Sequence, residues 1–239
     1  MRKLLSARLS RRRASCSVLL LVAFLPGSAG SLFGQNPAGG WSIDASQSRL
    51  IVHVLPAGLL SSALHAHHFQ PDEWSGEVAW DPEHPRNVRV EVRVAAGSFR
   101  DHQPKLSAKD RVKVEGQTRG AGILDAGKFP QILFQAQELE LERSPSGGSG
   151  DFRGTLKGTL TLHGKTLPLG FPIQGKVSGD RFEASAAAGF KQSDFGIQPY
   201  STALGTVAVK DEITVEIFLA GVPAGRKASA AAPPARSLR

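Results

Sequence analysis

Val88-Arg89-Val90-Glu91-Val92-Arg93-Val94 sets an apolar side chain at every second position and a charged one between each pair. Successive side chains of an extended chain point to opposite faces, so this run is a strand with one dry and one wet face. The same period governs 155–162: Leu156, Leu160 and Leu162 share a face with Gly158, and Thr155, Lys157, Thr159 and Thr161 take the other. It returns in 207–219, where Val207, Val209, Ile213, Val215, Ile217 and Leu219 lie opposite Lys210, Glu212, Thr214 and Glu216. Further strands are expected at 41–44, 48–55, 74–80, 131–141, 167–176 and 181–191. Within 131–141 the phase shifts after Ala136, so Leu139 and Leu141 reach the dry face only through a bulge. Gly147-Gly148-Ser149-Gly150 and His163-Gly164-Lys165-Thr166 read as hairpin connections.

One segment departs from the alternation. Between Pro104 and Arg119, Ser107 followed by Asp110 fits a helix N-cap with an acid three residues on, which predicts a short amphipathic helix. The fold class is therefore all-β, with eight or so long antiparallel strands and one short helical excursion. That pattern favours a closed or nearly closed barrel, with a two-sheet sandwich as the competing arrangement.

The 239 residues are 41% hydrophobic and 21% charged, enough apolar material for a sizeable core, which excludes wholesale disorder. The net charge of +8 invites a nucleic-acid reading, but its distribution argues against one. Six basic residues fall within 1–30 and four after Gly221, with no acid in either segment. The middle keeps 19 basic against 21 acidic residues, a balance of −2. No basic phosphate-binding face is expected, and no nucleic-acid partner.

Residues 1–30 read as a signal peptide. A basic stretch ends at Arg13, an apolar run extends from Cys16 to Leu25, and Pro26-Gly27-Ser28-Ala29-Gly30 supplies a breaker and small residues. The apolar run is too short to cross a ~30 Å hydrocarbon core, so no stable membrane anchor is expected after cleavage between about Gly30 and Gln35. Cys16, the single cysteine, leaves with the signal, which excludes disulfides, thiol nucleophiles and thiolate metal sites in the mature chain. Residues 31–40 form a linker, 41–221 the folded domain, and 222–239 a disordered Ala/Pro/basic tail.

Along 181–191 the apolar face is Phe182, Ala184, Ala186, Ala188 and Phe190, with three alanines where a packed core would carry Val or Leu. Gly158 interrupts the neighbouring leucine face in the same way. Small residues between large ones leave volume, and two outcomes follow: bulky residues from facing strands fill it, or an apolar cavity remains.

Ala63-Leu64-His65-Ala66-His67-His68-Phe69 is the main cluster of chemically capable side chains. In an extended chain His65 and His67 project to one side and His68 to the other. The pair has three readings: structural histidines bonded to backbone, a metal site needing further ligands, or a contact to a ligand headgroup. No Gly-x-Ser-x-Gly elbow, phosphate loop or dinucleotide fingerprint is present. Asp194, beside Gly196, fits a turn-shaping role. Catalytic residues, enzyme activity and cofactors are not expected.

Five motifs taken together resemble the YceI-like family of exported bacterial proteins. They are Trp41-Ser42-Ile43-Asp44 with Ser48, Lys128-Phe129-Pro130-Gln131-Ile132-Leu133-Phe134, Gly158-Thr159-Leu160-Thr161-Leu162-His163-Gly164-Lys165-Thr166, Lys191-Gln192-Ser193-Asp194-Phe195-Gly196-Ile197, and Val209-Lys210-Asp211-Glu212-Ile213. The resemblance covers about Trp41 to Ala220. It implies an eight-stranded, lipocalin-like antiparallel barrel that binds long isoprenoid lipids in the periplasm and is not an enzyme. Gln47 stands where the family usually has histidine, and the cluster at His65 and His67 looks like a branch with a His-x-His.

The expected function is thus an exported, periplasmic or secreted protein whose partner is one apolar, isoprenoid-type chain. Its expected lining is Phe134, Leu156, Leu160, Leu162, Phe182, Ala184, Ala186, Ala188 and Phe190. The alternatives are a metal-handling or redox-accessory protein using His65 and His67, and a filled barrel that binds a protein partner through its surface.

Overall fold

The computed structural model describes residues 40–80, 88–146, 149–202 and 205–223. The expected signal peptide, the linker up to residue 39, the glycines at 147–148 and the tail beyond 223 lie outside the described residues.

Within them the alternating segments close into a barrel. Its first three staves are each broken once: β1 (Gly40–Ile43) runs on into β2 (Arg49–Ala57), β3 (His67–Pro71) into β4 (Trp74–Trp80), and β5 (Val88–Ala95) into β6 (Phe99–Asp101). Five unbroken strands follow or complete the ring: β7 (Gln131–Arg143), β8 (Gly150–Leu162), β9 (Lys165–Ser178), β10 (Arg181–Lys191) and β12 (Val207–Pro223). A two-residue strand, β11 (Ser201–Thr202), pairs with the start of β12. The ring order is β1-β4-β5-β7-β8-β9-β10-β12, and β12 pairs back to β1, so eight staves close antiparallel and the sandwich is excluded. Beyond the breaks, β12, β2, β3 and β6 continue as a second, open row.

The first break is pinned to the last strand. Asp44 N–H donates to Ala220 O at 2.8 Å, and Ala220 N–H donates to Ser48 Oγ at 2.9 Å. Asp44 accepts from Ser46 and Gln47, and the Ser46 hydroxyl is the main reason its carboxyl lies below the usual range.

The expected bulge is present: the β7–β8 register shifts between Ala136 and Glu138, which turns Leu139 into the core. His163 and Gly164, both at positive φ, make the two-residue turn from β8 to β9. The volume expected at Gly158 is not there. A Cβ at that position would meet Phe134 Cζ at 2.9 Å, Ala136 Cβ at 2.9 Å and the Gln135 carbonyl oxygen. Phe152 covers Gly175 and Phe182 covers Gly221, each directly across a strand pair. The missing side chains are replaced by aromatic rings, which lets tightly coiled strands bury dense interior. The same rings, with Trp41 and Trp80, plug one end of the barrel: Trp41–Phe182 centroids are 5.4 Å apart and Trp80–Phe152 4.8 Å.

The helix, α1 (Ala108–Arg119), starts where its cap predicts: Asp110 N–H donates to Ser107 Oγ at 3.1 Å. It is not amphipathic in the expected sense. Val112 is exposed, Val114 is half-buried, and its one buried side chain is Glu115. Further differences concern two short strands and one strand end. β3 and β6 form although their short runs do not alternate clearly, because β2 offers a paired edge to β3 and β3 in turn offers one to β6. β12 runs two residues past Gly221, pairing Val222 with Ser42 and Pro223 with Trp41.

Candidate ligand cavity

The end of the barrel opposite the aromatic plug carries the long connections 58–66, 102–130 and 192–206. There the row β2-β3-β6 parts from β7, and α1 lies in the gap, tied to β6 by Asp101 N–H donating to Glu115 Oε1 at 3.1 Å. Beneath the helix is a cavity of about 220 Å³. Leu50, Val52 and Val54 of β2 form one wall, Ile213, Val215 and Ile217 of β12 the next, and Val92 and Val94 of β5 a third. Val114 and Thr118 of α1, with Ile123 and Leu124 after it, form the roof.

A second chamber of about 70 Å³ lies towards the plug. Val92, Phe134, Phe171 and Ile217 border both chambers and form the waist between them. At the waist Phe134 and Phe171 meet edge to face with centroids 5.0 Å apart.

The expected lining residues divide between the two. Phe134, Leu160, Leu162 and Phe190 border the larger chamber, and Phe134, Leu156, Phe182, Ala184 and Ala186 the smaller. Ala188 borders neither and packs against the core. The alanine row faces bulky neighbours, with Ala184, Ala186 and Ala188 paired to Leu219, Ile217 and Val215. Most of the free space therefore lies nearer the helix, against β2 and β12. The alternation of Val215 and Ile217 was a visible signal for that wall, whereas the roof depends on how the connection after β6 folds back.

One polar group enters the wall of the larger chamber from β3. His67 borders the cavity, and its Nδ1 lies 2.6 Å from Asp101 Oδ2. The Asp101 side chain is wholly buried. Burial pushes its carboxyl up, but hydrogen bonds from His67 and from the Gln103 and His68 N–H groups pull it further down, so it stays below the ordinary value. The carboxylate holds the imidazole with Nδ1 engaged and leaves Nε2 as the atom available to a ligand. Gln117, Gln192 and Tyr200 are also on this wall.

His65 and His67 do not converge. His65 is exposed in the chain before β3, while His67 is bound to Asp101. His68 instead pairs outward with His53, Nδ1 to Nδ1 at 2.9 Å, so one proton is shared between them. His53 Nε2 approaches Glu216 Oε2 at 3.2 Å, without an aligned hydrogen bond. Among the described residues no three His, Cys, Asp or Glu side chains are grouped to hold a metal ion.

A family model described as the YceI-like domain matches residues 41–220. Curated relatives named UPF0312 protein from Pseudomonas putida strains F1 and KT2440 are each 24% identical over 195 residues, covering 79% of this chain and 89% of theirs. Among solved structures, Burkholderia cenocepacia BcnA is 18% identical with a TM-score of 0.56, over 74% of this chain and 98% of that one. A polyisoprenoid binding domain from Saccharophagus degradans is 13% identical with a TM-score of 0.55, over 77% and 98%. The Campylobacter jejuni YCEI protein is 15% identical with a TM-score of 0.51, over 65% and 84%. These likenesses concern the fold.

Proposed function

This chain belongs to the YceI-like domain family, and from that premise we propose that it is an exported binding protein holding a long apolar lipid inside the barrel. The observation that carries this reading is the apolar interior in two chambers, separated only by the side chains of Val92, Phe134, Phe171 and Ile217. A hydrocarbon chain gains about 0.8 kcal/mol for each buried CH₂, so an apolar channel needs no charged anchor to bind one. An elongated ligand fits this layout better than a compact one: it lies in the larger chamber, parts the Phe134–Phe171 contact and reaches the smaller.

An isoprenoid is the ligand class that best joins these facts, and the polyisoprenoid binding domain from Saccharophagus degradans supports the same choice through its shared fold. The protein acts by binding and not by catalysis, in the periplasm or outside the cell, after removal of the signal at 1–30. The test is organic extraction of the protein purified from its own export compartment, with mass spectrometry of the extract. The expected result is a stoichiometric apolar chain that reloads into the stripped protein. An extract without lipid, together with failure to load any prenol, overturns the reading.

A further inference from the structure

The large apolar side chains that stand exposed among the described residues are Leu55, Leu59, Leu60 and Val112, at 42%, 87%, 50% and 70%. All four lie at the end of the barrel that holds the larger chamber. Leu55 is near the end of β2, Leu59 and Leu60 are in the connection to β3, and Val112 is on α1. The connection is ordered: Leu60 N–H donates to Thr206 O at 3.2 Å and Ser61 N–H to Gly58 O at 3.2 Å. It is also fastened to the helix segment, since Gln103 Nε2 donates to Ala66 O and Arg111 Nη2 donates to Gln103 O at 2.9 Å. A fixed turn that presents two leucines to water is unfavourable unless something covers them.

The charge around these side chains indicates what covers them. From Leu50 to Pro71 the sequence contains no Asp or Glu. Lys105, Lys109, Lys113 and Lys128, in the segment that roofs the cavity, are all exposed. That segment, 102–130, holds six basic residues against three acids, of which Glu115 is buried, Asp125 is half-buried and Asp110 accepts from its own cap residue Ser107. The other half of the barrel is different: exposed Glu138 and Glu140 sit on β7 around Lys157. Apolar tips beside a helix segment with an excess of basic side chains match the chemistry of a bilayer whose phosphates are negative and whose interior is apolar.

We propose that this end of the barrel docks on an anionic lipid bilayer, with Leu59, Leu60 and Val112 entering the headgroup layer and the lysines meeting phosphate. The roof of the larger chamber then faces the membrane from which a lipid is taken or to which it is returned. This inference rests on the lipid-binding reading for its purpose but not for its measurement.

The test is co-sedimentation of the natively isolated protein with vesicles of phosphatidylethanolamine and phosphatidylglycerol, and with vesicles of phosphatidylcholine alone. The parent is expected to bind the anionic vesicles and to release them between about 0.1 M and about 1 M salt, as the screening length shrinks from ~10 Å to ~3 Å. Each lysine changed to Gln should weaken binding by roughly fivefold. The variant Leu59→Asp/Leu60→Asp/Val112→Asp should lose at least about tenfold. Lys176→Gln, on β9 in the other half, should change little. Thermal melting and prenol loading of each variant show that the barrel is intact. Equal binding to both vesicle types, or unchanged binding by the triple variant, overturns the proposal. So does a parent that forms a dimer through these leucines and ignores vesicles, since the face would then serve a second copy of the chain. Vesicle binding without any prenol loading would leave docking standing and remove the lipid-carrier reading alone.

Discussion

Asp101 Oδ2 lies 2.6 Å from His67 Nδ1, so a wholly buried carboxylate is spent on orienting the one imidazole that enters the wall of a mostly apolar chamber. Asp101 also accepts from the Gln103 N–H at 3.0 Å, and its own N–H donates to Glu115 of α1 at 3.1 Å. The residue joins the roof of the cavity to its wall. Hydrogen bonds to a buried charge contribute about 1.5–3 kcal/mol, well above those between neutral exposed groups.

Asp101→Asn should therefore lower stability by about 2 kcal/mol at pH 7, measured by urea unfolding. The sign of the pH dependence follows from the depressed carboxyl. Its contribution is fully present above the ordinary value of 3.8 and is lost as the pH falls through the lower folded value. The gap between parent and variant should narrow below pH 3.8. A gap that stays constant down to pH 2 would show that the carboxylate's charge is not what stabilises the site.

Ala186→Phe tests whether the inner chamber is used. Ala186 borders the smaller chamber and not the larger, so the new ring fills the former. Overpacking should cost about 1–3 kcal/mol without loss of the fold. Long prenols should bind at least about tenfold more weakly, while a short alkanol that needs only the larger chamber should bind as before. Isothermal titration with ligands of increasing length reads the difference. Equal losses at every length would place the ligand elsewhere.

The pairing of Gly221 with Phe182 predicts a strongly non-additive pair of substitutions. The nearest contacts of a Cβ at Gly221 are all atoms of the Phe182 ring, with Cζ at 2.7 Å. Gly221→Ala alone should cost about 1–3 kcal/mol. In a Phe182→Ala background the same change should be close to neutral, giving a coupling of at least about 1 kcal/mol in a double-mutant cycle. Additive costs would mean that the ring does not cover the glycine.

Truncation should separate the last rungs of the closing seam from the chain beyond them. Ending the chain after Pro223 should leave the melting temperature nearly unchanged, because the Ala/Pro/basic sequence beyond it has little apolar area to bury. Ending it after Gly221 removes the partners of Ser42 and Trp41 and should lower the melting temperature by about 2–4 °C or more.

Much of the barrel was legible because its signal is local. Val88 to Val94, Leu156 to Leu162 and Ile213 to Leu219 each state which face is dry, the phase slip after Ala136 announces its bulge, and Ser107 with Asp110 announces the start of α1. Five motifs in order then pointed to the family. Side-chain alternation and capping depend on neighbours within a few residues, so one dimension of sequence contains them.

What only the tertiary structure decided depends on partners far apart in the chain. A row of alanines says that space is available but not whether Val215, Ile217 and Leu219 will occupy it, and a glycine such as Gly158 reads as a gap until Phe134 is seen to cover it. The position of the larger chamber follows from a helix that folds back over the break between β6 and β7, held by Glu115 and Asp101. Within the histidine cluster, His67 turns inward because Asp101, 34 residues away, receives it, and His68 turns outward to His53. Strand periodicity assigns each side chain a face, but closure of the sheet decides which faces meet and how much volume remains between them.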